Sequence, residues 1–131
     1  MRVVLDTNVL IAAFATRGLC EDVLRTVLAE HELVTSKFIL NELERVLGDK
    51  LKIPTSKVRE ISTFIRQSAH IFEPQDPSSW PTNELDDQWI VATAIDGDAQ
   101  IIVSGDRDLQ NPPADLPIEV LAPREFWERL R

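Results

Sequence analysis

The feature that most constrains this chain is an alternation. Short, largely apolar runs are separated by stretches of helical periodicity. Val3-Val4-Leu5, Leu33-Val34-Thr35, His70-Ile71-Phe72, Ile101-Ile102-Val103 and Ile118-Glu119-Val120-Leu121 are the runs. Each is too short for a helix, and the first and fourth are apolar throughout, as in strands buried on both faces. Between them, Val23, Leu24, Val27 and Leu28 mark one amphipathic helix, and Ile39, Leu43, Val46 and Leu47 a second. Val58, Ile61, Phe64 and Ile65 mark a third, which Pro54 opens. The segment from Leu85 to Ile95 is apolar nearly all round, as in a buried helix, and Phe126, Trp127 and Leu130 line a last helix that begins at Pro123. Val9 to Phe14 forms a helix or turn that Gly18 breaks; Ser36 serves as an N-cap, and Gly48 as a stop. Prolines 74, 77 and 81 make the stretch 73–83 a loop. Strands alternating with helices predict a parallel sheet covered on both faces. At 131 residues, with no internal repeat and no linker, the chain is expected to form one domain, 1–131.

Composition removes several classes. Hydrophobic residues make up 44% of the chain, enough for a core, so disorder is excluded as the main state. Cys20 is alone, so there is no disulfide scaffold. No apolar run approaches the ~18 residues of a membrane span. The N-terminal segment meets Asp6 too soon for a signal peptide, and with one cysteine the expected compartment is the cytoplasm, with no membrane partner. The net charge of −8 argues against a simple electrostatic coat for nucleic acid. The charge is uneven, however. Residues 36–70 carry +3 and the remainder −11, so a basic rim stands against an acidic remainder.

Certain carboxylates stand where surface acids should not. Asp6 follows the first strand directly, and Asp106 lies just past the fourth. In open α/β sheets, ligands bind at these carboxyl ends. Glu42 falls on the apolar stripe of its own helix, between Ile39 and Val46, where a carboxylate is costly unless paired, hydrogen-bonded or metal-bound. Asp87 sits in the first turn of the apolar helix, aligned with Ile90, Val91 and Ala94; a helix dipole alone could favour it and its neighbour Asp86. A doubly wound sheet can bring Asp6, Glu42, Asp87 and Asp106 into one pocket, with Asp108 as a fifth member. So many acids at close range require protons or a divalent cation. Oxygen-only ligands suit Mg²⁺ or Mn²⁺. Zinc is disfavoured, because no zinc-type spacing links Cys20, His31 and His70.

These residues resemble a known family. Asp6-Thr7-Asn8-Val9-Leu10 after a hydrophobic strand is similar to the opening of PIN-domain nucleases. Ser36 to Leu43, with Glu42-Leu43, resembles their second acidic motif. Asp87 followed by Trp89-Ile90-Val91-Ala92-Thr93-Ala94 resembles the third, and Ser104-Gly105-Asp106-Arg107-Asp108-Leu109 the fourth. Leu121 to Phe126 is similar to the end of PIN proteins grouped with VapC-like toxins of toxin–antitoxin systems. The resemblance covers essentially the whole chain. Ser104 stands where threonine is more usual, and Asn83-Glu84-Leu85-Asp86 replaces a more Asp/Pro-rich lead-in, which leaves Asp86 and Asp87 in competition as ligand; Asp87 is preferred for its interval to Ala92.

The resemblance implies a three-layer α/β/α sandwich with a central parallel sheet. It implies an endoribonuclease dependent on Mg²⁺ or Mn²⁺, with an antitoxin partner and a homodimeric state. Asp6, Glu42, Asp87 and Asp106 would be catalytic metal ligands, and Asp108 would serve a second ion. Asn8 and Ser104 would orient the carboxylates. Lys37, Arg45 and Arg107 are the expected phosphate contacts. Trp80 could stack on a base, although anchoring its loop is the plainer role. Trp89 and Trp127 read as packing or interface residues, and His31 and His70 as surface and strand-edge residues. A haloacid-dehalogenase phosphatase would need an acid at Asn8 and a downstream lysine, and a response-regulator receiver would need a late lysine; lysines end at Lys57. The remaining alternatives are a PIN-fold module that binds RNA or protein without cutting, and a housekeeping RNA-processing nuclease.

Overall fold

The structure, a computed structural model, describes residues 1–77, 85–106, 109 and 117–130. Among these, five strands form one parallel sheet: β1 (Arg2–Leu5), β2 (Glu32–Ser36), β3 (Ala69–Phe72), β4 (Ile101–Val103) and β5 (Glu119–Leu121), in the order β3-β2-β1-β4-β5. The helices are α1 (Thr7–Ala15), α2 (Leu19–Glu30), α3 (Lys37–Arg45), α4 (Thr55–Ser68), α5 (Leu85–Asp96) and α6 (Pro123–Arg129). The expected α/β/α sandwich is what the chain forms.

The layers follow from strand order. From β1 the chain steps outward to β2 and β3, then crosses back through α5 to β4. With right-handed crossovers, the helices of the two directions lie on opposite faces. Accordingly α5 packs on β2, β1 and β4, while α1, α2, α3 and α4 form a contiguous layer on the other side. The strand order reverses between β1 and β4, and the open crevice of such a sheet lies at the carboxyl ends of that pair.

Burial explains the strand composition. Val3, Val4, Leu5, Ile101, Ile102 and Val103 are all buried, consistent with apolar runs that do not alternate. Truncating one such side chain costs about 2–5 kcal/mol. At the end of α5, Gly97 is where this helix meets the sheet: a Cβ there would collide with Val34 and press on the Phe72 ring at 3.1 Å. Ser36 ends β2 and caps α3, its Oγ accepting from the Ile39 N–H at 3.3 Å. Thr93 of α5 donates to the same Oγ at 2.8 Å, tying the two faces together across the end of β2.

One expectation fails here. Gly48 does not stop the helix. The chain continues beyond α3 as a π-helical turn, Val46–Lys50, in which the Leu51 N–H donates to the Val46 carbonyl at 3.0 Å. The glycine's small helix penalty is outweighed by the burial of Leu47 beside it.

Candidate active site

Four elements end at the crevice between β1 and β4. The backbone ladder runs one residue past each strand: the Asp6 N–H donates to the Val103 carbonyl at 3.0 Å, and the Ser104 N–H to the Leu121 carbonyl at 2.9 Å. This brings Asp6 and Ser104 side by side. The Ser104 hydroxyl donates to Asp6 Oδ2 at 2.7 Å, and the Asp106 N–H donates to Ser104 Oγ at 3.0 Å. A relay of one hydroxyl therefore fixes the Asp6 carboxylate to the backbone that carries Asp106. Asp6 is only 7% exposed.

The cleft measures about 200 Å³. Asp6 and Asn8 line it from the start of α1, Glu42 and Arg45 from α3, Asp86 and Asp87 from α5, and Asp106 from the segment after β4. Asp87 is 5% exposed, whereas Asp86 is exposed. Consecutive helix positions lie about 100° apart, so Asp87 is buried at the base of the cleft while Asp86 stands exposed at its wall, beside Glu42. Glu42 is half-buried, as its place on the stripe between Ile39 and Val46 requires.

The electrostatics are those of like charges held together. Burial pushes the Asp6 carboxyl above the ordinary aspartate value of 3.8, and the nearby Asp106 adds to the rise. The Ser104 hydroxyl and the Thr7 and Asn8 amides act the other way. Glu42 is also raised, above 4.5, first by burial and then by the proximity of Asp86 and Asp6. The Thr7 hydroxyl, buried in the cleft, favours the charged form of Glu42 while standing outside close hydrogen-bond geometry with it. Among the described residues, neither Asp6 nor Glu42 forms an ion pair.

The donor chemistry fits a hard divalent cation: oxygen ligands alone, partly desolvated, with the proton affinities of Asp6 and Glu42 raised by burial and, to a lesser degree, by neighbouring acids. Among the described residues no three acidic, histidine or cysteine side chains are gathered closely enough to form a metal cage by themselves. Mg²⁺ retains several waters and takes few direct protein ligands, so such a cation would be held partly through water.

The structure does not bring all the sequence-derived candidates together. Lys37 is absent from the cleft lining; it begins α3 and pairs with Glu73 at 3.3 Å. Lys37 lies five residues before Glu42, off the face that points into the cleft. Arg45 does line the cleft. Arg107, Asp108 and Trp80 lie outside the described residues. His70 is exposed at the edge strand, 3.2 Å from Glu32. Trp89 is half-buried and stacks on Phe38 at 5.9 Å between ring centres. Sequence reasoning passed over Thr7 and Lys50, both of which line the cleft. For Thr7 the signal was its place next to Asp6 at a helix start; for Lys50 there was none, because its position depends on the π turn.

A family model described as PIN domain matches residues 2–108. The chain belongs to the PIN domain family. PIN domains are generally nucleases that depend on a divalent metal, and the match spans Asp6, Glu42, Asp87 and Asp106. No curated protein matches the chain by sequence. Among solved structures this PIN domain is similar to VapBC2 from Rickettsia felis, bound to a DNA fragment from their promoter. That match has a TM-score of 0.63 and 15% identity, over 93% of this chain and 98% of the other. It is also similar to FitAcB from Neisseria gonorrhoeae, with a TM-score of 0.57 and 18% identity over 93% and 98%. At such identities the likeness is one of fold.

Proposed function

We propose that this PIN domain is a divalent-metal-dependent endoribonuclease and the toxin of a toxin–antitoxin pair. One observation carries the nuclease reading. Five acids from four separate segments converge on a cleft at the reversal point of the sheet, and Asp6 and Glu42 have no ion-pair partner among the described residues. A structural role would supply such partners, since repulsion among buried acids opposes folding. The toxin role is supported by the fold shared with the VapBC2 and FitAcB complexes. An antitoxin that covers the cleft is the corresponding partner, and a homodimer and a cytoplasmic setting are part of the same proposal.

Asp6, Asp87 and Asp106 would hold Mg²⁺ or Mn²⁺, directly or through water, with Glu42 as a further ligand or as the group that orients the attacking water. The ion, when bound, supplies an acidified water and positive charge opposite the scissile phosphate. The chain does the rest. Ser104 holds Asp6 in one orientation, so the carboxylate need not reorganise during the reaction. Asn8 lies at the start of α1, where the helix dipole stabilises the negative charge of Asp6. Glu42, with its raised proton affinity, accepts a hydrogen bond from water more strongly than an exposed glutamate. Arg45, at the cleft wall, faces the phosphate backbone. In-line attack by water leaves a 5′-phosphate and a 3′-hydroxyl.

The test is cleavage of a structured RNA pool, with DNA as control, in Mg²⁺ or Mn²⁺ against EDTA. Asp6→Asn keeps the Ser104 hydrogen bond and removes the charge. Metal-dependent cutting of RNA that Asp6→Asn abolishes, with 5′-phosphate products, is the expected result. A folded wild type that binds no divalent ion by calorimetry would sink the mechanism. Growth arrest on expression, relieved by the product of a neighbouring gene, is the expected sign of the toxin role; cleavage without arrest would leave an RNA-processing nuclease.

A further inference from the structure

Resting on the nuclease reading, we infer that Lys50 is a substrate-contacting residue that grips the phosphate backbone of single-stranded RNA at the cleft mouth, and that the π-helical turn exists to put it there. The argument begins with helix geometry. In an uninterrupted α-helix each residue advances about 100°, so the position seven after Glu42 returns to within ~20° of its face. That position is Asp49. An acid there would add another negative charge to the cleft and repel a phosphate.

The chain avoids this. The turn Val46–Lys50 closes with the bond from Leu51 N–H to the Val46 carbonyl, five residues back, and the Ile53 N–H then donates to the Leu47 carbonyl at 3.0 Å. The wider ring of a π turn advances roughly 80–85° per residue, so Lys50 arrives within about 20° of Glu42 while Asp49 swings about 70° aside. The cleft wall agrees with this geometry: Glu42, Arg45, Val46 and Lys50 line it, and Asp49 does not. The turn has exchanged an acid for a base at one site without changing the composition of the segment.

Among the described residues, Lys50 and Arg45 form no ion pair, although carboxylates line the same cleft. The other cations of α3 and α4 that stand near acids are committed: Lys37 to Glu73, Lys57 to Glu60 and Arg66 to Glu44. Two uncommitted cations beside an acidic cleft are the arrangement a polyanionic substrate requires. They contact the phosphates flanking the one that the acids and their cation would address. Such contacts are independent of base identity.

The experiment compares wild type, Lys50→Ala, Lys50→Arg and the charge exchange Asp49→Lys with Lys50→Asp. Cleavage is followed in Mg²⁺ or Mn²⁺, and binding of a short fluorescein-labelled single-stranded RNA is followed by anisotropy in EDTA across a salt series. Circular dichroism verifies folding of each variant. Lys50→Ala is expected to raise KM about 10-fold with kcat nearly unchanged, as for a contact made equally before and during reaction. The slope of log Kd against log salt should fall by about 0.7, one phosphate contact on a single strand. Lys50→Arg should restore both. The charge exchange leaves net charge unaltered and should weaken binding at least as much as Lys50→Ala.

Each result decides something. An exchange variant that behaves as wild type, or a KM and salt slope indifferent to Lys50→Ala, overturns the contact while cleavage keeps the nuclease reading intact. RNA binding that depends on Lys50 in a protein that cuts nothing overturns the nuclease reading and keeps the contact. Neither binding nor cleavage overturns both.

Discussion

The two ends of the parallel sheet handle charge in opposite ways. At the amino ends of the strands, Arg2 answers every neighbour. Its Nε donates to the Gly97 carbonyl at 2.6 Å, its Nη1 lies 3.6 Å from Glu32, and its guanidinium stands 5.9 Å from the centre of the Phe72 ring. Glu32 in turn meets His70 at 3.2 Å. At the carboxyl ends, Asp6, Glu42, Asp86, Asp87 and Asp106 share one cleft. Opposite charges pair at the first end; at the second, five acids outnumber the two bases that line the same cleft. The first arrangement contributes to stability, and the second is one that the proposed cation would complete. The same strands serve both, since parallel strands send all their carboxyl ends, and the loops that follow them, to one side.

The largest expected effect lies at the carboxyl ends. Asp87→Asn should lower metal-dependent RNA cleavage about 100-fold or more, and Asp86→Asn about 10-fold or less, because on the proposed mechanism the buried carboxylate would hold the cation and the exposed one would only stand beside it. Single-turnover cleavage of one RNA by both variants checks this, and equal losses would remove the distinction between the two acids. At the amino ends, Arg2→Ala should cost about 1–2 kcal/mol in urea unfolding, through a lost hydrogen bond and lost packing of the side-chain stem. Its cleavage rate per folded molecule should match wild type. If that rate fell instead, the two ends would be coupled, and the contrast would fail.

Acidity sharpens the comparison further. Asp6 and Glu42 have folded-state values raised above 3.8 and 4.5. The native protein therefore holds their protons more tightly than the unfolded chain does. Their favourable contribution is complete below the unfolded values and is lost as pH climbs through the folded ones. Through these two groups, metal-free protein should gain thermal stability as pH falls through their folded values, the reverse of a protein held by ordinary salt bridges. Saturating Mg²⁺ or Mn²⁺ should flatten that dependence, because the cation replaces the proton. Calorimetric melts with EDTA or metal across this range measure it; a melting temperature that falls with acidity in EDTA would contradict the direction. The smallest effect is expected at Lys37. Its pair with Glu73 is solvent-exposed on both sides, so Lys37→Ala should change stability by less than about 0.5 kcal/mol and leave cleavage of RNA and its salt dependence unchanged.

Much of this molecule is legible before folding is considered. Apolar runs without alternation mark strands buried on both faces, and 3.6-residue periodicity marks the helices between them, because both patterns arise from local backbone geometry. Asp6 and Asp106 announce themselves by following such runs, and Glu42 by occupying an apolar stripe. These are one-dimensional signals of a three-dimensional crevice. The tertiary structure decided what those patterns leave open. It buried Asp87 and left Asp86 exposed at the cleft wall, since the packing of α5 on β1, β2 and β4 sets its rotation. It paired Lys37 with Glu73, away from the cleft, and carried the helix through Gly48 into a π turn that presents Lys50 in place of Asp49. Periodicity assigns a residue to a face only while the helix keeps one pitch. Where the pitch widens, the face is set by the long-range packing that holds Leu47 in the core, and no local pattern encodes it.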